Sequence, residues 1–120
     1  MENSQGRDIL TVTTTVGSRE DAQKLARAIV QARLAACVQV EEGLTSFYRW
    51  QGTDCEDAEV RLTLKTLPGC ARALQALFRE QHPYEVPQFL AMPMLASEGY
   101  YEWARGEVAV PEDPRETLGL

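Results

Sequence analysis

The feature that most limits the fold is a long β-prone stretch, Ala36–Gln51, followed by a turn signal at Gly52 and an alternating run Val60, Leu62, Leu64 and Thr66. Residues 36–51, fully extended at about 3.3 Å per residue, would span roughly 53 Å. A sphere drawn for a chain of 120 residues, with a radius of gyration of about 14 Å, is only roughly 35 Å across. The two runs therefore predict an antiparallel hairpin that must bend or project, and Glu41, Glu42 and Gly43 mark the bend. Beyond it, Leu44, Phe47, Tyr48 and Trp50 put apolar groups on both strand faces. One small domain cannot cover both, so the hairpin predicts a homo-oligomer, the alternative being a final helix that folds back over it.

The remaining pattern supplies what packs on this hairpin. Ile9–Val16 is rich in β-branched residues and reads as a central strand. Ser18 with Asp21 opens a helix in which Ala22, Leu25, Ala26, Ile29, Val30 and Leu34 recur at helical spacing. Pro68 suits the first turn of a second helix bearing Ala71, Leu74, Leu77 and Phe78, and Pro83 disfavours helix at His82, so it ends near Gln81. Gln88–Leu95 reads as a fourth strand, confined to a sheet edge by Pro93. Ser97 caps a last short helix with Tyr100, Tyr101 and Trp103. The order βαββαβ plus a helix predicts an α+β, ferredoxin-like antiparallel sheet, strand order 4-1-3-2. The domain is expected over 9–110, with loose ends at 1–8 and 111–120.

Charge and cysteine content exclude several function classes. Twelve basic against 18 acidic residues give −6, about half of it in the two ends, and without a basic run nucleic-acid binding is disfavoured. No apolar stretch reaches the roughly 20 residues of a membrane span, and residues 1–8 lack the apolar core of a signal peptide. A cytoplasmic protein is expected. Cys37, Cys55 and Cys70 form no C-x-x-C pair and read as reduced thiols, with Cys37 buried in its apolar run.

Chemistry concentrates in His82-Pro83-Tyr84-Glu85-Val86-Pro87, where two prolines restrict the loop around the single histidine. One imidazole does not make a metal site of three or four ligands, and capping or packing is its simplest role. An acid/base reading pairs His82 with Glu85 or Tyr84. No nucleophile elbow, phosphate loop, H-E-x-x-H or EF-hand pattern accompanies it. Tyr48 and Trp50 share a face, but without a basic central strand they read as interface residues rather than base-stacking ones.

Four segments, in order, carry a family resemblance: Arg33-Leu34-Ala35-Ala36-Cys37-Val38, Thr45-Ser46-Phe47-Tyr48-Arg49-Trp50-Gln51-Gly52, Lys65-Thr66, and His82 to Pro87. Together they resemble the CutA divalent-cation tolerance family over about Ile9–Ala109. The resemblance implies a homotrimer of PII-like architecture with intersubunit clefts near the hairpins, a non-enzymatic role in divalent metal ion tolerance, copper above all, and Cu2+ or another divalent cation as ligand. It makes His82 the metal contact, with Glu85, Tyr84, Trp50 and Lys65 as cleft residues. Where the bacterial family's copper ligands are expected, this chain has Thr14, Gln81 and Gln88, poor partners for a soft metal. Two other readings stay open: a PII-like small-ligand signalling trimer without metal, and an acid/base enzyme using His82 and Glu85.

Overall fold

The computed structural model describes residues 8–109 and 118–120. The chain runs β1 (Asp8–Val16), α1 (Arg19–Gln31), β2 (Cys37–Trp50), β3 (Thr53–Thr66), a 3-10 turn (Pro68–Cys70), α2 (Ala71–Gln81), β4 (Leu90–Leu95) and α3 (Glu98–Glu107). The four strands form one antiparallel sheet ordered β2-β3-β1-β4, the expected arrangement. Ser18 caps α1 by accepting the Asp21 amide, and Ser97 caps α3 by accepting that of Tyr100, each satisfying an amide that the helix leaves free.

One sheet face carries the core. Leu10, Val12 and Val16 of β1 and Val60, Leu62 and Leu64 of β3 meet Ala22, Leu25 and Ile29 of α1 and Ala71, Leu74 and Phe78 of α2. This follows from period-two and period-3.6 patterns facing each other, and burying each large aliphatic contributes about 2 kcal/mol. Pro93 lies in edge strand β4 opposite Leu10, where its missing donor costs no ladder bond.

The hairpin is long and bent where expected. Register passes from Glu41↔Arg61 to Leu44↔Glu59, one extra residue in β2, with Gly43 at φ +92°, a conformation that favours glycine. The turn has Gln51 at φ 51° and Gly52 at φ 82°, and the molecule is drawn out to 47 × 30 × 25 Å. Phe47 is 72% exposed, Tyr48 44% and Trp50 41%, so the tip is uncovered within one chain. The last helix does not fold back over it: Tyr101 packs with Ile9 and Leu67, at the opposite end of β3.

Three details differ from expectation. Pro68 starts a separate 3-10 turn rather than α2 itself. β4 begins at Leu90, because Phe89 turns inward to meet Phe78 edge-on at 5.3 Å. Cys37 is half-buried, not buried, since it starts an edge strand and pairs with Lys65 on the side of the sheet away from α1 and α2; Cys70 is the buried thiol. Of the two loose ends, 1–7 and 111–117 lie outside the described residues, Asp8 opens β1, and Leu118 packs against the main core.

Candidate functional site

The restrained loop after α2 delivers its side chains to the upper end of the sheet. His82 is the C-cap of α2, in extended conformation, and only 8% exposed. Its ring lies 5.4 Å from that of Phe78 and 5.2 Å from that of Tyr84. The Tyr84 amide donates to His82 Nδ1 at 3.1 Å, so Nδ1 carries a lone pair and the neutral ring holds its proton on Nε2. That nitrogen donates to Thr14 Oγ1, 2.9 Å away on β1 and fully buried. Burial pushes the imidazole below its usual value of 6.5, against smaller opposing effects from the Thr15 backbone, Asp21 and Glu59.

Tyr84 carries the loop across to the hairpin. Its hydroxyl donates to Glu59 Oε2 at 2.6 Å, and Ser46 donates to the other oxygen, Oε1, at 2.6 Å. Glu59 is 9% exposed, so these two donors replace the water it gives up. Burial, and then the bond to Glu59, raise the Tyr84 phenol well above 10. A methyl group at Gly17 would lie 3.4 Å from the Tyr84 hydroxyl, so the β1–α1 turn passes close over it. Further out, Tyr48 donates to Asp57, which pushes its phenol up to about 12. One network thus ties β1, the loop after α2 and both hairpin strands.

The expected site residues do not all meet in one chain. Glu85 is exposed and is not bonded to His82. Trp50 pairs with Thr53 at the hairpin tip, while Lys65 pairs with Cys37 near the other end, about 40 Å along the strand. Thr14 holds His82, Gln81 is exposed at the end of α2, and Gln88 lines a shallow depression of about 460 Å³ with Thr13, Thr15, Arg61 and Glu41. Among the described residues, no three His, Cys, Asp or Glu side chains are grouped to hold a metal ion. A divalent cation at His82 would have to displace the Tyr84 amide from Nδ1 or take the proton from Nε2, so the residues present do not fit a preformed soft-metal centre.

Glu59 and Asp57 stand out nowhere in the sequence, and Ser46 and Arg33 do so only as members of the family-like runs, with no role attached. Arg33, at φ 58°, donates Nε to Glu107 O and Nη2 to Gly106 O, both at 3.1 Å, capping the C-terminal end of α3. The acidic run Glu56-Asp57-Ala58-Glu59 was a visible signal, but nothing in it marks the fourth position as the buried one.

Known proteins share this architecture. Residues 10–107 match the family described as "CutA1 divalent ion tolerance protein". The chain is 43% identical over 95 residues to the divalent-cation tolerance protein CutA of Thermus thermophilus, covering 78% of this chain and 92% of that protein. It is 39% identical over 92 residues to human protein CutA, covering 76% of this chain and 51% of that longer protein. Among solved structures, CutA1 of Thermus thermophilus superimposes with a TM-score of 0.80 at 40% identity, covering 85% and 99% of the two chains. CutA of Synechococcus elongatus does so with a TM-score of 0.80 at 36% identity, covering 91% and 95%. With the strand order, the bent hairpin and the histidine-capped loop, these matches establish that the chain belongs to the CutA1 divalent ion tolerance family.

Proposed function

We propose that this chain acts in divalent metal ion tolerance, with copper the first cation to test, as a non-enzymatic cytoplasmic homotrimer. The family pattern across residues 10–107 carries the reading, since it spans nearly all of the described fold. The uncovered tip aromatics, with Leu90 60% and Met92 59% exposed on β4, supply surfaces for neighbouring copies. Free Cys37, Cys55 and Cys70 suit a reducing compartment, and no helix among the described residues is long and apolar enough to cross a membrane. Within one chain His82 is a structural pivot rather than a ready ligand, so any strong cation contact belongs to a cleft completed by a second copy, with Glu85, Tyr84, Trp50 and Lys65 as the groups to probe.

Cells lacking the protein, with and without this chain, are grown across a Cu2+ series while the untagged protein is weighed by native mass spectrometry. A raised copper threshold and a mass about three times 13.4 kDa support the proposal; an unchanged threshold or a monomer overturns it. The metal-free signalling trimer has one observation in its favour, the absence of a grouped donor set among the described residues. A trimer that carries a small organic ligand and leaves the copper threshold unchanged is its signature. Acid/base catalysis by His82 and Glu85 has no hydrogen bond between the two groups to support it, since both ring nitrogens are engaged by the Tyr84 amide and Thr14.

A further inference from the structure

Residues 118–120 lie beyond the segment shared with the family, yet they are seated on α2. Gln75 is half-buried on that helix. Its carboxamide donates to Ala71 O at 3.3 Å within the helix and to Leu118 O at 2.8 Å, which uses both hydrogens of the amide. Leu118 is half-buried and packs against the main core cluster. Gly119 has φ +74°, and a Cβ there would lie 3.1 Å from Arg72 Cγ and 3.3 Å from Nη1, so close approach to the arginine stem and the left-handed backbone both call for glycine. Leu120 is 73% exposed.

We propose that Leu118–Leu120 form a detachable latch, and that the notch on α2 beside Gln75 and Arg72 is an interaction surface that this Leu-Gly-Leu segment occupies in its own chain. Three observations specify the occupant: a directed hydrogen bond to the Leu118 carbonyl, an apolar anchor, and a glycine required by the fit. One net hydrogen bond and one partly buried leucine roughly balance the entropy of ordering three residues, so the latch is populated but easily lifted. It sits on the helical layer, whereas the uncovered strand surfaces lie on the hairpin and β4.

Carboxypeptidase trimming of the chain ending at Leu120 tests this, because the enzyme must lift residues 118–120 before it cuts. The comparators are a free peptide of residues 111–120 and the Gln75→Ala chain, whose tail sequence is unchanged and whose fold is checked by circular dichroism. The free peptide is expected to be trimmed fastest. With closed and open forms near balance native protection is about twofold, so Gln75→Ala, which loses one net hydrogen bond, should be trimmed nearly twice as fast as the native chain and close to the free-peptide rate, and native protection should not change on dilution. Equal rates for peptide and native chain, no effect of Gln75→Ala, or protection that disappears on dilution and so comes from another copy, would each overturn the proposal.

Discussion

His82→Ala separates a histidine that holds the fold from one that holds a metal. The substitution removes two hydrogen bonds, from the Tyr84 amide at 3.1 Å and to Thr14 Oγ1 at 2.9 Å. The Tyr84 bond is worth about 1 kcal/mol, and leaving the fully buried Thr14 hydroxyl without its partner costs about 1–2 kcal/mol. Loss of the ring from between Phe78 and Tyr84 removes buried contacts to both and adds about 2 kcal/mol. The total, about 4 kcal/mol, is a large share of the stability of an ordinary domain. At a slope of about 2 kcal/mol/M it moves the urea midpoint down by about 2 M.

The assay is urea unfolding at one fixed protein concentration, so that any self-association contributes equally to both proteins, repeated from pH 8 to pH 5. His82 has a folded value below 6.5, so its neutral form stabilises the native state fully above pH 6.5. As pH falls below 6.5 the unfolded chain binds the proton first, and stability declines until the folded value is reached. His82→Ala lacks this decline, so the gap between the two proteins narrows toward pH 5. Copper titrations of the same samples should agree within threefold. An alanine variant within 1 kcal/mol of the native chain, with copper affinity reduced tenfold or more, would falsify the pivot and make His82 a ligand.

Other perturbations probe the same architecture. Tyr84→Phe removes the donor to Glu59 and should cost about 1–2 kcal/mol, reduced by the partial exposure of Tyr84; a double-mutant cycle with Ser46→Ala should show coupling through the shared carboxylate, and strict additivity would break the network apart. Phe47→Asp and Trp50→Asp place charges on the uncovered tip and should convert the native mass to that of a monomer with the helical circular dichroism retained. A trimer that persists in both would move the interface elsewhere. Arg33→Ala loses both caps on α3 and keeps the strained left-handed backbone, for about 2 kcal/mol in thermal unfolding. Arg33→Gly loses the same caps but relieves the strain, so it should be the more stable of the two by about 1 kcal/mol.

The parts of this molecule governed by repetition could be read from its sequence. Leu25 and Ile29 on α1, the run Val60-Leu62-Leu64, the edge position of Pro93 and the break at residues 41–43 all obey short-range geometry, and each lies where its period or backbone restriction predicts. The site depends on meetings between distant residues. Thr14 and His82, or Glu59 and Tyr84, lie far apart in the chain, and no local pattern says which buried hydroxyl an imidazole will choose. Cys37 shows the same limit, because an apolar neighbourhood gives hydrophobicity but not whether the strand is covered on both sides. Trp50 and Lys65 share family motifs yet lie at opposite ends of one hairpin, so nearness in a motif does not translate into nearness within the chain.

The single extra residue in β2 also sets a reading frame. Before the bulge, the odd-numbered residues Gln39 and Glu41 share a side with Thr63 and Arg61; after it, the even-numbered Leu44, Ser46, Tyr48 and Trp50 stand with Glu59, Asp57, Cys55 and Thr53. Were the ladder to run unbroken through Gly43, with every residue of β2 paired in turn, each later β2 side chain would stand on the other face. Ser46 and Tyr48 would leave their carboxylates, and Phe47 would exchange sides with the tryptophan. A glycine whose added Cβ would meet nothing within 4 Å thus decides which aromatic side chains stand on which face of the hairpin.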